Sequence, residues 1–293
     1  MYDLTNVSLG VWGDLPKRMI LTPEFFDWYA NELRFDLLSI MIDDADPQVE
    51  FSWSEKDVEK ALELADPYAI EIGLTTWPYP VPDLLAQMET KMAALLAVGP
   101  VAEWETDQEF NFQEDDVQGY PNLIVASKAL VEIKARLCAK YECRNVVTTF
   151  TYHVENSAQS LTIPYADRAA IQAYATDERN GKRVTWKHRL GPGNMQKLTL
   201  NRTMQIPGIK EGDVELLVGH AAWNQEGFTE KRRIKGRDRW VPAPEKAMRV
   251  SFEASLPYNP VAHNWWSLKY IYPKSRRYNT YAETFLKSLR AGT

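Results

Sequence analysis

The chain has 293 residues, of which 45% are hydrophobic and 25% charged, and its formal net charge at pH 7 is −6. This length and composition are typical of a soluble, folded protein with one large domain or two ordinary ones. An acidic chain has no general electrostatic attraction to nucleic acid or to anionic membrane, so we expect neither as a partner. The sequence contains no uninterrupted run of about 18 apolar residues, so no membrane-spanning helix is predicted. We expect a monomer.

Cysteine and histidine usage argues against disulfides and metal sites. The two cysteines, Cys138 and Cys143, cannot form a disulfide framework, and their separation matches no zinc motif. The four histidines show no close spacing typical of metal ligands. The first residues also lack the basic region and apolar run of a secretory signal. We therefore expect synthesis in the cytoplasm, no bound metal and no cofactor.

Segments typical of strands recur along the chain and alternate with segments typical of helices. The first strand is followed by Thr22 and Pro23, which predict the start of a helix, and Ser54 with Asp57 predicts a second helix start. Strands are predicted at 7–12, 37–42, 69–77, 101–107, 145–153, 169–176, 214–225 and 265–272. The later helices are predicted at 83–96, 121–140, 196–204, 244–256 and 279–290.

This alternation predicts the fold class. Strands that alternate with helices favour parallel pairing through right-handed crossovers, and eight such units predict an α/β fold of the (β/α)₈ barrel type. We expect one barrel domain over residues 1–293, with an irregular insertion around 177–195 and a basic loop around 226–243. An open doubly wound sheet is the alternative. It is disfavoured because the loop after the first strand contains no glycine-rich phosphate-binding turn.

The fourth predicted strand carries a ladder of acidic residues. Side chains alternate between the two faces of a strand, so Glu103, Glu105 and Asp107 point one way while Trp104 points the other. Neighbouring acids on that face lie about 6.6–6.8 Å apart at the backbone. That separation is within the range used by glycosidases with two catalytic carboxylates. The alternative is an edge strand with a solvated acidic face.

Further candidate residues follow from the rule that barrel enzymes place their active sites at the carboxyl ends of the strands. Asp43 is a candidate acid, and with Asp44 and Asp46 it could instead chelate a cation or form a solvated turn. Lys269 is predicted either to face the acids or to project into solvent. The remaining candidates for substrate binding are Asp14, Trp12, Trp77, Tyr152, Tyr174, Trp223 and Gln225. The aromatic members of this set are expected to stack on sugar rings.

Strand phase predicts which residues enter the barrel. The alternation places Gly10 and Trp12 of the first strand inward, together with Glu71 of the third. A charge inside a barrel is costly, so Glu71 must be paired or protonated, and a structural role is expected for it. The basic run at 231–239 predicts a solvated loop or, alternatively, a segment attracted to an anionic polymer such as a bacterial envelope.

Three short motifs resemble those of glycoside hydrolase family 25 muramidases and related phage lysins. They are Glu103-Trp104-Glu105, the stretch at 171–174 and the aromatic-Gln element Trp223-Asn224-Gln225. That family carries Asp-x-Glu on its fourth strand, so the resemblance implies that Glu105 is the general acid and Glu103 its partner. A shift by two residues would make Glu105 and Asp107 the pair. The acid expected on the first strand is missing, because Ser8 and Gly10 stand there.

The resemblance implies a phage-type lysin that cleaves the glycan strand of peptidoglycan. Such an enzyme would be made in the cytoplasm and would act on the cell wall after release. Its partner would be the polysaccharide substrate. Two other classes stay open: a non-catalytic carbohydrate-binding or virion structural barrel, and a metal-dependent barrel hydrolase that uses the acids after the second strand.

Overall fold

A computed structural model describes residues 2, 4–13, 15–42, 53–76, 82–106, 123–151, 163–172, 192–221, 229–242 and 244–290. Within these ranges eight parallel strands pair with one another in chain order and close into a barrel, the last strand pairing with the first. The barrel strands are β1 (Ser8–Gly13), β2 (Leu37–Met41), β3 (Glu71–Thr76), β4 (Glu103–Thr106), β5 (Asn145–Thr151), β6 (Arg168–Gln172), β7 (Glu215–Ala221) and β10 (Ala262–Trp266). The predicted (β/α)₈ barrel is confirmed.

Helices connect the strands and cover the outside of the barrel. Thr22 accepts a hydrogen bond from the Phe25 amide, and Ser54 forms a capping box with Asp57, so both predicted helix starts are confirmed. The α-helices are α1 (Lys17–Ile20), α2 (Pro23–Asp27), α3 (Glu55–Ala65), α4 (Pro82–Leu96), α5 (Leu123–Tyr141), α6 (Pro192–Thr203), α7 (Pro244–Ser255), α8 (Leu268–Ile271) and α9 (Thr280–Leu289). A π-helical segment, Trp28–Leu33, continues α2. None of the described helices is long and apolar enough to cross a membrane.

The apolar core divides into a layer outside the barrel and a small set of residues inside it. Leu9 and Val11 of β1 belong to the outer layer, in the same cluster as Phe252 of α7 and Phe285 of α9. The inner set comes from five different strands and consists of Trp12, Val147, Ala170, Leu217 and Ala262. The alternation predicted for the first strand is therefore confirmed. Strand period 2 separates helix-facing residues from those that fill the barrel.

The predicted eighth strand at 265–272 is wrong in its boundaries. Strand β10 ends at Trp266, and the chain then enters the short helix α8. Tryptophan and tyrosine favour strands in general, which is why 265–272 resembled one. In the structure the Trp265 ring lies 5.5 Å from Phe35 and 6.1 Å from Phe252, on the helix-facing side of the sheet.

The segment predicted as a basic loop contains a β-hairpin. Strands β8 (Thr229–Ile234) and β9 (Arg237–Pro242) pair antiparallel in a sheet separate from the barrel. Lys235 and Gly236 join them with φ values of 48° and 75°. Two central residues with positive φ are typical of a type I′ turn, whose twist matches that of the strands it connects. Charge density alone therefore did not predict the local structure.

Candidate active site

The two glutamates of β4 lie inside the barrel. Glu103 and Glu105 are both completely buried, whereas Trp104 faces outward and donates its indole N–H to Thr76 at 3.0 Å. In the parallel register Glu105 pairs with Thr75 of β3 and Val147 of β5. Glu105 is the next-to-last residue of β4, so its carboxylate belongs to the carboxyl half of the barrel, where barrel enzymes place their chemistry.

Neutral donors from two strands hold the Glu105 carboxylate. Trp12 Nε1 donates to Oε2 at 2.5 Å, and Thr149 Oγ1 donates to Oε1 at 2.8 Å. Burial, followed by the negative charge of Glu103, raises the pKa of Glu105 to about 7, although the two hydrogen bonds oppose the shift. A carboxylic acid with a pKa near neutrality is suited to general acid catalysis.

Glu103 has a different environment, which includes a cation. Ser39 Oγ donates to its Oε1 at 3.1 Å, and Arg168 Nη1 lies 3.3 Å from its Oε2. Arg168 also pairs with Glu215 at 2.9 Å. Burial raises the pKa of Glu103, while Arg168 and Ser39 act in the opposite direction. The arginine favours the ionised form of Glu103, so the two acids have separate roles available to them.

Two glycines make room for these interior side chains. A Cβ at Gly73 would lie 2.8 Å from Glu103 Cγ, and a Cβ at Gly219 would lie 2.7 Å from Trp12 Cη2. Both distances are shorter than real contacts of a Cβ atom. The small residues of β3 and β7 therefore set the space in which Glu103 and Trp12 are held.

A buried lysine lies behind the strands that carry the site. Lys134 of α5 is completely buried, donates a short hydrogen bond to the Val147 carbonyl, and lies 5.9 Å from the centre of the Trp104 ring. Burial lowers the pKa of Lys134 to about 7, against the opposing effects of the neighbouring Cys138 and of Glu105. The amine and the candidate acid interact electrostatically, because Lys134 lowers the pKa of Glu105 and Glu105 raises that of Lys134.

Two further polar atoms point into the barrel near the glutamates. Thr75 Oγ1 and Asn264 Oδ1 are buried and have no hydrogen-bond partner among the described residues. Thr75 is adjacent to Glu105 in the strand register, and the Asn264 amide lies 3.5 Å from Ser39 Oγ. Both atoms therefore add hydrogen-bonding capacity to the polar interior around the two acids.

The structure changes the interpretation of three residues singled out from the sequence. Trp12 faces inward as predicted, but it is 1% exposed and hydrogen-bonded to Glu105, so in this structure it positions the acid and offers no open stacking face. Glu71 is paired as predicted, with Arg144 at 2.6 Å, but its side chain is 36% exposed at the amino end of β3, so it is not a charge enclosed in the barrel. Lys269 lies on the helix α8, with its ammonium 5.4 Å from the centre of the Tyr270 ring. Because it is not in a strand, the strand alternation that predicted a direction toward the acids does not apply to it.

Most other candidates lie outside the described residues. They are Asp14, Asp43, Trp77, Asp107, Tyr152, Tyr174, Trp223 and Gln225. Their roles in catalysis or sugar binding remain predictions. Among the described residues there is no group of three or more side chains able to hold a metal ion.

Sequence reasoning missed four residues that contact the acids or lie behind them. Ser39 and Thr149 are in phase with the interior of their strands, and this periodicity could have identified them. Arg168 is the first residue of β6, whereas the candidates were selected at the carboxyl ends of the strands. Lys134 lies within an otherwise ordinary amphipathic helix, where nothing in the local sequence indicates a buried amine.

The comparisons with known proteins show the fold. No protein-family model matches the sequence, and no curated protein does either. A β-galactosidase from the psychrophilic Marinomonas ef1 is similar in structure, with a TM-score of 0.62 and 10% identity over 97% of this chain. A fungal β-1,4-galactanase has a TM-score of 0.60 and 8% identity, covering 96% of this chain and 99% of its own. A xylanase and α-amylase inhibitor protein has a TM-score of 0.58 and 10% identity, covering 98% and 99%.

These similarities differ in extent. The chain spans only 59% of the Marinomonas enzyme, whereas it spans nearly all of the galactanase and of the inhibitor. Two of these three barrels are named as glycosidases and the third as an inhibitor of such enzymes. At this level of identity the shared property is the barrel itself, and function has to be argued from the site.

Proposed function

We propose that this protein is a glycoside hydrolase that cleaves the glycan strand of bacterial peptidoglycan, with Glu105 as its general acid. The observation that carries the proposal is the environment of Glu105. It is a buried carboxyl group near the carboxyl end of a barrel strand, held by Trp12 and Thr149, with a pKa raised to about 7. A buried carboxyl group whose pKa is raised toward neutrality is suited to donate a proton near pH 7.

The chemistry follows from the difference between the two acids. In its neutral form Glu105 donates a proton to the glycosidic oxygen as the bond to the sugar carbon breaks, and water supplies the hydroxyl of the new reducing end. Glu103, beside Arg168, provides negative charge two residues away on the same strand. That charge raises the pKa of Glu105 and favours the positive charge that develops on the sugar.

One line of support concerns the general chemistry and the other concerns the substrate. The similarity to a β-galactosidase and a β-1,4-galactanase supports glycosidase chemistry in general. The choice of peptidoglycan and of a phage-type lysin comes from the short motifs shared with family 25 muramidases. Under this proposal the enzyme acts on the cell wall, and Asp107 is an alternative partner for Glu105.

A non-catalytic barrel is the second candidate, and two observations favour it. Both glutamates are completely buried, and the chain is similar over almost its whole length to a protein named as an inhibitor of xylanase and amylase. A barrel of this kind would bind carbohydrate or protein without turnover. It would use its polar interior only for stability.

The test is digestion of purified peptidoglycan with the full chain, followed by separate assays for new reducing ends and new free amino groups. The proposal expects reducing ends without amines, and no effect of a chelator. Amines without reducing ends would indicate a peptidase or amidase. Binding to the wall with neither product would favour the non-catalytic barrel.

A further inference from the structure

The β8–β9 hairpin forms an exposed cationic surface on an acidic protein. Its 14 residues, Thr229–Pro242, contain six basic and two acidic side chains, while the whole chain has a net charge of −6. The exposed cations of its tip and second strand are Arg233, Lys235, Arg237 and Arg239. The type I′ turn at 235–236 holds both strands in a defined hairpin, so these charges are displayed on an ordered element.

The hairpin belongs to the end of the barrel that carries Glu105. It lies within the connection from β7 to α7, and connections that follow parallel strands emerge at their carboxyl ends. The strand beside β7 is β10, whose own connection to α9 presents the exposed cations Lys274, Arg276 and Arg277. Two adjacent strands are thus followed by basic segments.

The direction of α9 places that second basic segment at the same end. Arg290, just after α9, contacts the Val7 carbonyl and Asp36 at 3.1 and 2.8 Å. Both contacts lie just before β1 and β2, at the amino ends of the strands. The helix therefore starts near the carboxyl end of the barrel, where residues 273–279 precede it.

We infer that the β8–β9 hairpin, together with residues 274–277, binds a polysaccharide that carries phosphate or carboxylate groups. This inference rests on the proposed function and adds the charge of the polymer to it. A neutral glycan offers no anionic groups to pair with the seven exposed cations. Arginine, in contrast, recognises phosphate and carboxylate oxygens through paired hydrogen bonds. The cations would hold the anionic polymer at the end of the barrel where Glu105 acts.

A membrane fits the surface less well. Attachment to a membrane needs an apolar face. Among the described residues Ile234 is the only exposed large hydrophobic one, and a single side chain does not form such a face. An anionic glycan needs only charge and hydrogen bonding, which this hairpin supplies.

The experiment measures binding in the Glu105→Gln background, so that hydrolysis does not interfere. The fluorescent probes are polygalacturonate, for carboxylate groups, and phosphomannan, for phosphate groups, with dextran as the neutral polymer. Replacing Arg233, Lys235, Arg237 and Arg239 by Gln should raise the Kd for at least one anionic probe about tenfold or more at low salt. Raising the salt concentration should weaken binding by the unmodified hairpin much more than by the variant.

The matched control replaces four exposed lysines elsewhere, Lys60, Lys140, Lys197 and Lys210, by Gln. It removes the same net charge and should leave the Kd nearly unchanged, and circular dichroism should show that both variants fold. An unchanged Kd in the hairpin variant, or an equal loss in the control, would overturn the inference. Tighter binding to an oligonucleotide or to anionic phospholipid vesicles than to both glycans would also overturn it.

The outcome is separable from that of the proposed function. If the anionic glycans bind through the hairpin but the protein with its native Glu105 produces no reducing ends from peptidoglycan, the binding surface stands and the glycosidase proposal fails. If reducing ends appear while the hairpin variant binds as tightly as its parent, the glycosidase stands and this inference fails.

Discussion

Two pairs of buried ionisable residues occupy opposite sides of the barrel wall. Glu103 and Glu105 of β4 lie inside, with hydrogen-bond donors from four other strands around them. His220 of β7 and His263 of β10 lie outside, joined to each other by a 2.9 Å hydrogen bond and packed against aromatic rings. Both pairs are buried, yet the glutamates form a candidate active site and the histidines form part of the core.

The comparison shows that burial of a titratable group does not identify a site by itself. Burial raises the pKa of Glu105 to about 7 and lowers that of His263 to about 3, so in both residues burial favours the neutral form. The glutamates, however, have donors that also stabilise the charged form. They lie on the strand face that lines the barrel interior. The histidines meet Phe252 and Trp265 and contribute to the helix-facing core.

The largest expected effect concerns catalysis by the inner pair. Glu105→Gln should lower kcat on peptidoglycan by about 10²–10⁴-fold, because a general acid contributes about that much. The matched control is Glu71→Gln, which removes an acid that pairs with Arg144 at the protein surface and should retain activity. Equal rates for Glu105→Gln and the unmodified protein would remove Glu105 from the mechanism.

The pH dependence of stability tests the same residue without any substrate. The pKa of Glu105 is higher in the folded state than in the unfolded chain, so its ionisation destabilises the fold as pH rises from about 4.5 to about 7. The full effect is about 3 kcal/mol, from about 1.4 kcal/mol per pKa unit. Urea unfolding at pH 5 and pH 8 should therefore show a smaller loss of stability for Glu105→Gln than for the unmodified protein. Identical losses would show that the acid is not destabilised by burial.

The outer pair should show the opposite dependence on pH. The pKa of His263 is lowered by burial, so the unfolded chain binds a proton that the folded protein does not, and stability falls as pH decreases below about 6.5. At pH 5 this amounts to about 2 kcal/mol. His263→Leu should reduce that loss in urea unfolding between pH 7 and pH 5, with activity at pH 7 retained. Trp265→Phe, which removes no titratable group, should keep the slope of the unmodified protein.

The smallest expected effect sharpens the role of Trp12. Its indole N–H lowers the pKa of Glu105, so Trp12→Phe should move the basic limb of the pH–rate profile to higher pH. The loss of one hydrogen bond to the acid should also lower kcat about tenfold. Trp104→Phe is the control, because that indole bonds to Thr76 on the outer face. A profile that does not move in Trp12→Phe would mean that Trp12 only fills space.

The sequence predicted the site in part because strand periodicity is a local property. The inward direction of Glu103, Glu105 and Trp12 follows from alternation along single strands, and this direction is confirmed. The role of Trp12 could not be predicted, because it depends on the approach of β1 and β4 across the barrel interior. The same is true of Arg168, whose partner Glu103 lies 65 residues away in the chain.

The eighth strand and the basic segment show the same limit. Aromatic residues at 265–272 have the local composition of a strand, but packing of Trp265 against Phe35 and Phe252 and a helix start after Ser267 end β10 early. Charge at 231–239 predicted a loop, while positive φ at Lys235 and Gly236 allowed a hairpin.

By itself, the sequence determined the alternation of strands and helices, the closed barrel, the helix caps at Thr22 and Ser54, and the interior face of β4. These features depend on residue periodicity and on hydrogen bonds between near neighbours in the chain. Only the tertiary structure decided that Glu105 lies between Trp12 and Thr149, that Glu103 faces Arg168, and that His220 meets His263. Each of these contacts joins strands distant in sequence, and the pKa values depend on the burial and charge that closure of the barrel creates.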